Sequence, residues 1–177
     1  MRVRKATPED LEEILTIINI TNRLFFKEII PPERFKDPFM TREELEQEFE
    51  QKDFYIFELE GRKGRSLLRR QLVGVAAFET STTRFGTVGI ITRMYVLPQF
   101  QRRGIGTALI AEIESKAREQ GVEEILIWTD PKATWAVSFY KKAGYREIDP
   151  AARYGDEAID TRITKHGKEL LVLRKAL

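Results

Sequence analysis

Gln101-Arg102-Arg103-Gly104-Ile105-Gly106 is the stretch whose residue types could hold a reactant. It follows an apolar, strand-like run ending Met94-Tyr95-Val96-Leu97-Pro98 and opens into Thr107-Ala108-Leu109-Ile110-Ala111-Glu112-Ile113. A strand, a small-residue turn and a helix together aim bare backbone N–H groups at an anion. The first N–H groups of a helix have no internal partner, and the helix dipole adds partial positive charge there. Glycine removes the Cβ that would hold a phosphate off. The structural alternative is that Gly104 and Gly106 only make a tight strand–helix turn.

Two phosphate motifs do not fit. A Walker loop needs a lysine after its last glycine, and none follows Gly106. A dinucleotide turn needs a third small residue where Leu109 stands, and it belongs in an N-terminal βαβ unit. This loop falls in mid-chain after a series of strands.

The elements that must position the loop are legible from spacing. Val3-Arg4-Lys5-Ala6 suits a short strand, and Thr7-Pro8-Glu9-Asp10 a helix start with a hydroxyl cap, an early proline and acids at the positive end. Leu11, Ile14, Leu15 and Ile18 carry that helix onward, and Pro31-Pro32 interrupts the apolar segment that follows. Thr41-Arg42-Glu43-Glu44 is a capping box for a second helix with Leu45 and Phe49 on its apolar side. Phe54 to Leu59, Leu72 to Phe78 and Thr87 to Val96 are predicted strands. Leu109, Ile113 and Ala117 recur at helical spacing until Gly121 stops the helix. Ile125 to Trp128 suits a buried strand, Thr134 to Ala143 a helix closed by Gly144, and Tyr145 to Ile148 and Leu170 to Leu173 closing strands. The expected fold class is α+β: a single mixed, mostly antiparallel sheet of about six or seven strands flanked by about four helices.

At 177 residues the chain suits one domain over 1–177 with a full core. Hydrophobic residues at 42% and charged residues at 33% fit a globular protein. No apolar run approaches the roughly 18 to 20 residues of a membrane span, and the N-terminus lacks the apolar core of a secretion signal. The expectation is a cytoplasmic protein with no membrane contact. With no cysteine and the single His166, thiolate chemistry, a serine–histidine triad and a resident metal are not expected. A net charge of +2 weighs against a dedicated nucleic-acid binder. The basic segment 62–70 between two strands suits a solvated hairpin tip, with nucleic-acid or acidic-partner contact as the alternative.

Gln101-x-x-Gly104-x-Gly106 after Tyr95-Val96-Leu97-Pro98 resembles the acetyl-CoA loop of the GNAT N-acetyltransferase family. About thirty residues downstream, Ala136-x-x-Phe139-Tyr140-x-x-x-Gly144-Tyr145 resembles that family's second signature segment. Order, spacing and the intervening helix and strand agree over residues 72–148. The resemblance implies acetyl-CoA as co-substrate, its pyrophosphate on the backbone of Arg102, Arg103, Gly104, Ile105, Gly106 and Thr107. It implies that the pantetheine arm adds to the sheet like a strand, along the backbone of Met94, Tyr95 and Val96. Arg102, Arg103, Lys132, Lys141 and Lys142 are candidates for the 3′-phosphate, or plain surface cations.

By the same resemblance Tyr140 is the catalytic residue, placed near the thioester sulfur as general acid. An amine attacks the thioester carbonyl directly in a ternary complex, and a strand N–H such as that of Val96 steadies the oxyanion. A cysteine-like thiol near about 8.5 is a stronger acid than a tyrosine near about 10, so full proton transfer is uphill by about 2 kcal/mol. A hydrogen bond to the departing thiolate serves as well. The structural alternative for Tyr140 is a core or rim tyrosine beside Phe139.

The chain departs from the family in two places. Ala133 stands where many relatives have asparagine; Thr134 supplies a replacement hydrogen bond to the co-substrate or caps the helix. Ile90-Ile91-Thr92-Arg93 and Ile125 to Thr129 lack the glutamate that relatives use as a base, leaving Glu79 and Glu28 as substitutes or as ordinary solvated carboxylates.

Phe25, Phe26, Ile29, Ile30, Phe35, Phe39 and Met40 either finish the core or line an acceptor pocket. The acceptor is a small-molecule amine or a protein or peptide amine. Homodimer pairing through late strands is compatible with the family. The alternative function is a non-catalytic CoA-binding or sensing domain on the same fold.

Overall fold

Strand β1 (Arg2–Lys5) pairs antiparallel with β2 (Asp53–Gly61), and Ala6 continues the contact by donating its N–H to the Phe54 carbonyl at 2.7 Å. The molecule is described by a computed structural model over residues 2–61, 69–83, 86–149 and 170–177. The basic run from Arg62 to Leu68 and His166 lie outside the described residues, so the hairpin reading of that run is not addressed.

The other elements are α1 (Leu11–Phe26), α2 (Arg42–Gln51), β3 (Arg69–Thr83), β4 (Gly86–Val96), α3 (Ile105–Glu119), β5 (Glu124–Thr129), α4 (Thr134–Lys142), β6 (Arg146–Ile148) and β7 (Leu171–Ala176). Among the described residues the strands form one seven-stranded sheet in the order β1-β2-β3-β4-β5-β7-β6. β4 and β5 run parallel; the pairs β1–β2, β2–β3, β5–β7 and β6–β7 are antiparallel. The α+β expectation, with its mixed sheet and four helices, holds. No described helix is long and apolar enough to cross a membrane.

The chain divides into two compact units, residues 1–78 with 93–113, and residues 79–92 with 114–177. In the first, α1 buries Ile14, Ile17 and Ile18 in a cluster with Leu45 of α2 and Phe54 and Ile56 of β2. Each such side chain contributes about 1.5–3 kcal/mol. The predicted helix start at Thr7 is a single 3₁₀ turn, Pro8–Asp10, ahead of α1. Asp10 accounts for it: its carboxylate accepts from the Thr7 N–H at 2.8 Å and from Arg4 at 2.7 and 2.9 Å. Arg4 also donates to Glu58 at 2.9 Å, and Arg2 to the same carboxylate at 2.6 Å.

The capping box at α2 is present as read, with Glu44 N–H on Thr41 Oγ1 and Thr41 N–H on the Glu44 carboxylate. Of the apolar segment before it, Met40 and Phe39 join the core. Asn19 pins Met40 through its backbone N–H and carbonyl, both at 2.9 Å. Phe25, Phe26, Ile29, Ile30 and Phe35 are only partly buried.

In the second unit β5 buries Ile125, Leu126 and Ile127 completely. The α3 helix ends at Gly121, whose φ of +72° is the predicted left-handed stop. Tyr145, read from sequence as the start of a strand, precedes β6 and is buried behind α4. Its N–H is spent on the Tyr140 carbonyl at 3.0 Å, closing the helix rather than pairing with β7.

Candidate active site

The loop of the first unit is built from the end of β4. Pro98–Phe100 makes one 3₁₀ turn, and Gln101 then donates its side-chain amide to the Val96 carbonyl at 3.1 Å. This bond ties the loop to the strand that precedes it. Arg102 and Gly104 both take positive φ, +59° and +78°, and the chain enters α3 at Ile105. The first bond of that helix runs from the Ala108 N–H to the Gly104 carbonyl at 2.9 Å. The N–H groups of Ile105, Gly106 and Thr107 therefore have no carbonyl within the helix to bond. A Cβ added at Gly104 would meet nothing within 4 Å, so the loop is open at that position. An anionic group fits there by backbone donation and dipole.

Gly74 of β3 brings the helix to the sheet. A Cβ at that position would stand 2.9 Å from Ile105 Cγ2 and 3.2 Å from Leu109 Cδ1. Only a residue without a side chain lets α3 start this close to β3. Of the predicted loop residues, Ile105 is buried and anchors the helix, while Arg102, Arg103, Gly104 and Thr107 are exposed. The Arg103 guanidinium lies over the Phe100 ring, 5.4 Å from its centroid.

Met94, Tyr95 and Val96 close β4. The Tyr95 side chain turns into the core of α1 and β2, which leaves its backbone as the part a ligand could use. Burial pushes its hydroxyl pKa up, against the lowering effect of Arg93 and Asn22. Arg93 has a φ of +52° and pairs with Glu48 of α2 through two nitrogens. Burial raises the Glu48 pKa, yet the hydrogen bonds and charge of Arg93, with Lys52, outweigh it and hold the carboxyl below its ordinary range. So held, Glu48 is a weak base. Sequence reasoning missed this pair, although a charge at apolar spacing beside Leu45 and Phe49 is the signal that could have marked it. Glu28 is exposed and Glu79 partly buried.

In the second unit Tyr140 is 7% exposed on α4. Its ring packs against Phe139 (5.2 Å, 58°) and edge-on to Tyr145 (6.2 Å, 66°). Tyr145 in turn donates its hydroxyl to Glu114 at 3.2 Å, and Lys175 donates to Glu114 and to the Ala143 carbonyl at the end of α4. Burial, then the Glu114 charge, push the Tyr145 pKa far up, so Tyr145 stays neutral. This network sets the C-terminal turn of α4 and with it the ring of Tyr140.

Ala133 is fully buried at the N-terminus of α4, where the methyl group packs into the core. The turn is held instead by Asp130, whose carboxylate accepts from the Lys132 N–H at 2.9 Å. Thr134 is the first helical residue, not the cap. It faces a shallow groove of about 500 Å³ that Pro131, Val137, Ser138, Lys141 and Lys142 also line. Its lining is mostly apolar, and the Lys141 ammonium lies 3.4 Å from the Glu147 carboxylate.

The Acetyltransferase (GNAT) family profile matches residues 16–145. An IAA acetyltransferase of Azospirillum brasilense is 29% identical over 53% of this chain and 60% of its own length. An N-alpha-acetyltransferase of Sulfurisphaera tokodaii is 27% identical over 86% of this chain and 84% of its own. Among solved structures, N-acetylglutamate synthase from Neisseria gonorrhoeae, complexed with coenzyme A and N-acetyl-glutamate, superposes with a TM-score of 0.68 at 25% identity. That match covers 99% of this chain and 34% of the synthase chain. The chain thus spans well under two thirds of the synthase and 60% of the first relative. The profile takes in most of α1, the glycine loop and the Phe139-Tyr140 segment together, and on that span the chain belongs to the Acetyltransferase (GNAT) family.

Proposed function

We propose that the protein is an acetyl-CoA-dependent N-acetyltransferase that moves an acetyl group to a primary amine by direct attack. The observation that carries this reading is the glycine turn open at Gly104, which leads into a helix whose first bond, Ala108 N–H to the Gly104 carbonyl, leaves the N–H groups of residues 105 to 107 without helical partners. The donor's pyrophosphate suits the backbone of Arg102 through Thr107, and its pantetheine amides suit the backbone of Met94, Tyr95 and Val96. In this reading the groove lined by Lys141, Lys142 and Thr134 takes its 3′-phosphate end.

Bound acetyl-CoA supplies an activated thioester. The protein's part is to orient it, to donate a backbone N–H to the carbonyl oxygen as charge develops there, and to stabilise the departing sulfur. Val96 is assigned the first role. Tyr140 is assigned the second, donating its hydroxyl proton, or a hydrogen bond, to the thiolate. A lysine-like amine is neutral in only about one molecule in 2500 at pH 7, so the amine must lose a proton before it attacks. Glu48, its pKa lowered by Arg93, is a poor acceptor for that proton, and a water path serves in this reading. The amine-directed names of relatives, an N-alpha-acetyltransferase and a synthase of N-acetyl-glutamate, support an amine as acceptor.

Thiol release from acetyl-CoA across a panel of amines, amino acids and peptides tests the reading, with calorimetric CoA binding in parallel. The expected result is CoA binding with turnover on at least one acceptor, lost in Tyr140→Phe. Binding without turnover on any acceptor assigns the chain to CoA sensing. No CoA binding removes both readings.

A further inference from the structure

Arg93 lies inside β4, yet its φ of +52° falls in the left-handed region. Among the described residues one other non-glycine, Arg102, shares that region, and it is exposed in the glycine turn. A long-chain L-residue takes this conformation at a cost, so surrounding structure must hold it there. Glu48 of α2 does so from 45 positions away: its carboxylate accepts from Arg93 Nε at 3.0 Å and also from Nη2. Two charge-assisted bonds side by side fix the plane of the guanidinium as well as its position. The guanidinium also lies over the Phe39 ring, 5.4 Å from its centroid, and Phe39 packs on the core. The Arg93 and Glu48 side chains are only 25% and 20% exposed, so water competes weakly for these bonds.

The place of this turn in the strand gives it a consequence. Before it, β4 pairs with β5, and that ladder ends at Ile91↔Ile127. β4 is buried from Val88 to Ile91 and half-buried from Thr92 to Val96. The chain passes from the second compact unit into the first between Thr92 and Arg93. After the turn, Leu97 donates its N–H to the Val73 carbonyl at 2.9 Å, which ties the end of β4 to β3. A left-handed residue inside a strand interrupts the ladder and re-aims the peptide groups that follow. Those groups belong to Met94, Tyr95 and Val96.

We propose that Glu48 is a positioning residue for acetyl transfer: through Arg93 it holds the left-handed turn in β4 and so aims the Met94–Val96 backbone at the co-substrate. This rests on the acetyltransferase reading above, which assigns that backbone to the pantetheine arm and the oxyanion. Glu48 touches no reacting atom in this role. Without its carboxylate Arg93 relaxes toward an extended conformation, the binding-competent form of the strand is less populated, and CoA affinity falls by that fraction.

The test separates backbone from charge. CoA binding to the full chain is measured by calorimetry, with urea unfolding of each variant alongside. Glu48→Ala should weaken CoA binding at least about tenfold. Adding Arg93→Gly should bring the affinity back to within about threefold of wild type, because glycine takes a positive φ without strain. Adding Arg93→Ala instead should not, although both double variants lack the same two charges and differ by one Cβ. If Glu48→Ala does not fold, Glu48→Gln, which keeps the side-chain volume, carries the same comparison. Wild-type CoA affinity in the Glu48 variant overturns the proposal, and is the result expected of a residue that served only as a base. Equal affinity in the two double variants overturns it as well, since charge or packing would then set the loss. A wild type that binds no CoA removes the underlying acetyltransferase reading, and this proposal with it.

Discussion

Lys175 Nζ stands 2.8 and 2.9 Å from the two carboxylate oxygens of Glu114. The pair joins the last strand to α3, and the same ammonium caps α4 through the Ala143 carbonyl at 2.9 Å. Glu114 is 6% exposed, so removing its partner leaves a buried carboxylate with only Tyr145 and a distant Arg118. Lys175→Met should cost about 3 kcal/mol of stability in urea unfolding. The double variant Glu114→Gln with Lys175→Met should recover part of that loss, because no buried charge is then unpaired. A double variant as unstable as the single one would show that packing, not charge, sets the cost.

Tyr140→Phe tests the chemistry with the least change of shape. The ring contacts with Phe139 and Tyr145 survive, and only the hydroxyl is lost. We expect kcat to fall about a hundredfold with CoA affinity unchanged, read by steady-state kinetics and calorimetry. An unaltered kcat would take Tyr140 out of the reaction.

Gly104→Ala places an L-residue at a φ of +78°, which costs about 1–2 kcal/mol, and sets a methyl where the loop is open. CoA affinity should drop by at least about tenfold, well beyond the loss in stability. Equal affinity would mean that the loop does not carry the pyrophosphate.

Gly74→Ala acts on the same loop from behind. The new Cβ would meet Ile105 Cγ2 at 2.9 Å, an atom fixed to a branched Cβ and unable to swing away. The start of α3 must shift, at about 1–3 kcal/mol. Thermal unfolding should register that loss, and the acetyl-CoA KM should rise although Gly74 belongs to β3. A stable variant with normal KM would contradict the close packing.

Asp10 sets a pH window. The Arg4 hydrogen bonds, against the opposing effect of burial, hold its carboxyl below the ordinary range. A group whose folded pKa is depressed gives stability that is present above its unfolded pKa, near about 4, and lost as pH falls through the folded value. Asp10→Asn should therefore be less stable than wild type by about 2 kcal/mol at pH 7, and the gap should close toward about pH 2. Urea unfolding at neutral and acid pH measures it; a gap that persists at acid pH would assign the effect to the hydrogen bonds alone.

The fold was legible because its signals are local. Alternating strands, a hydroxyl cap three residues before Glu44 and glycines at helix ends act within a few residues of themselves. The loop was legible for the same reason, since a glycine turn feeding a helix is a local device. The Arg93–Glu48 pair was not, because its members are 45 positions apart and become partners only when α2 packs against β4. Nor was the role of Ala133. A small residue at a helix start reads as a missing ligand in sequence, whereas in the structure it is a core methyl beside a turn held by Asp130.

By itself the sequence determined the elements, the glycine turn that opens α3 and the family, since periodicity, φ-permissive residues and motif spacing are properties of neighbouring positions. Tertiary structure decided what those elements bring together. It set Gly74 against Ile105 and paired Glu48 with Arg93. Packing decides such pairings, because their members lie far apart in the chain.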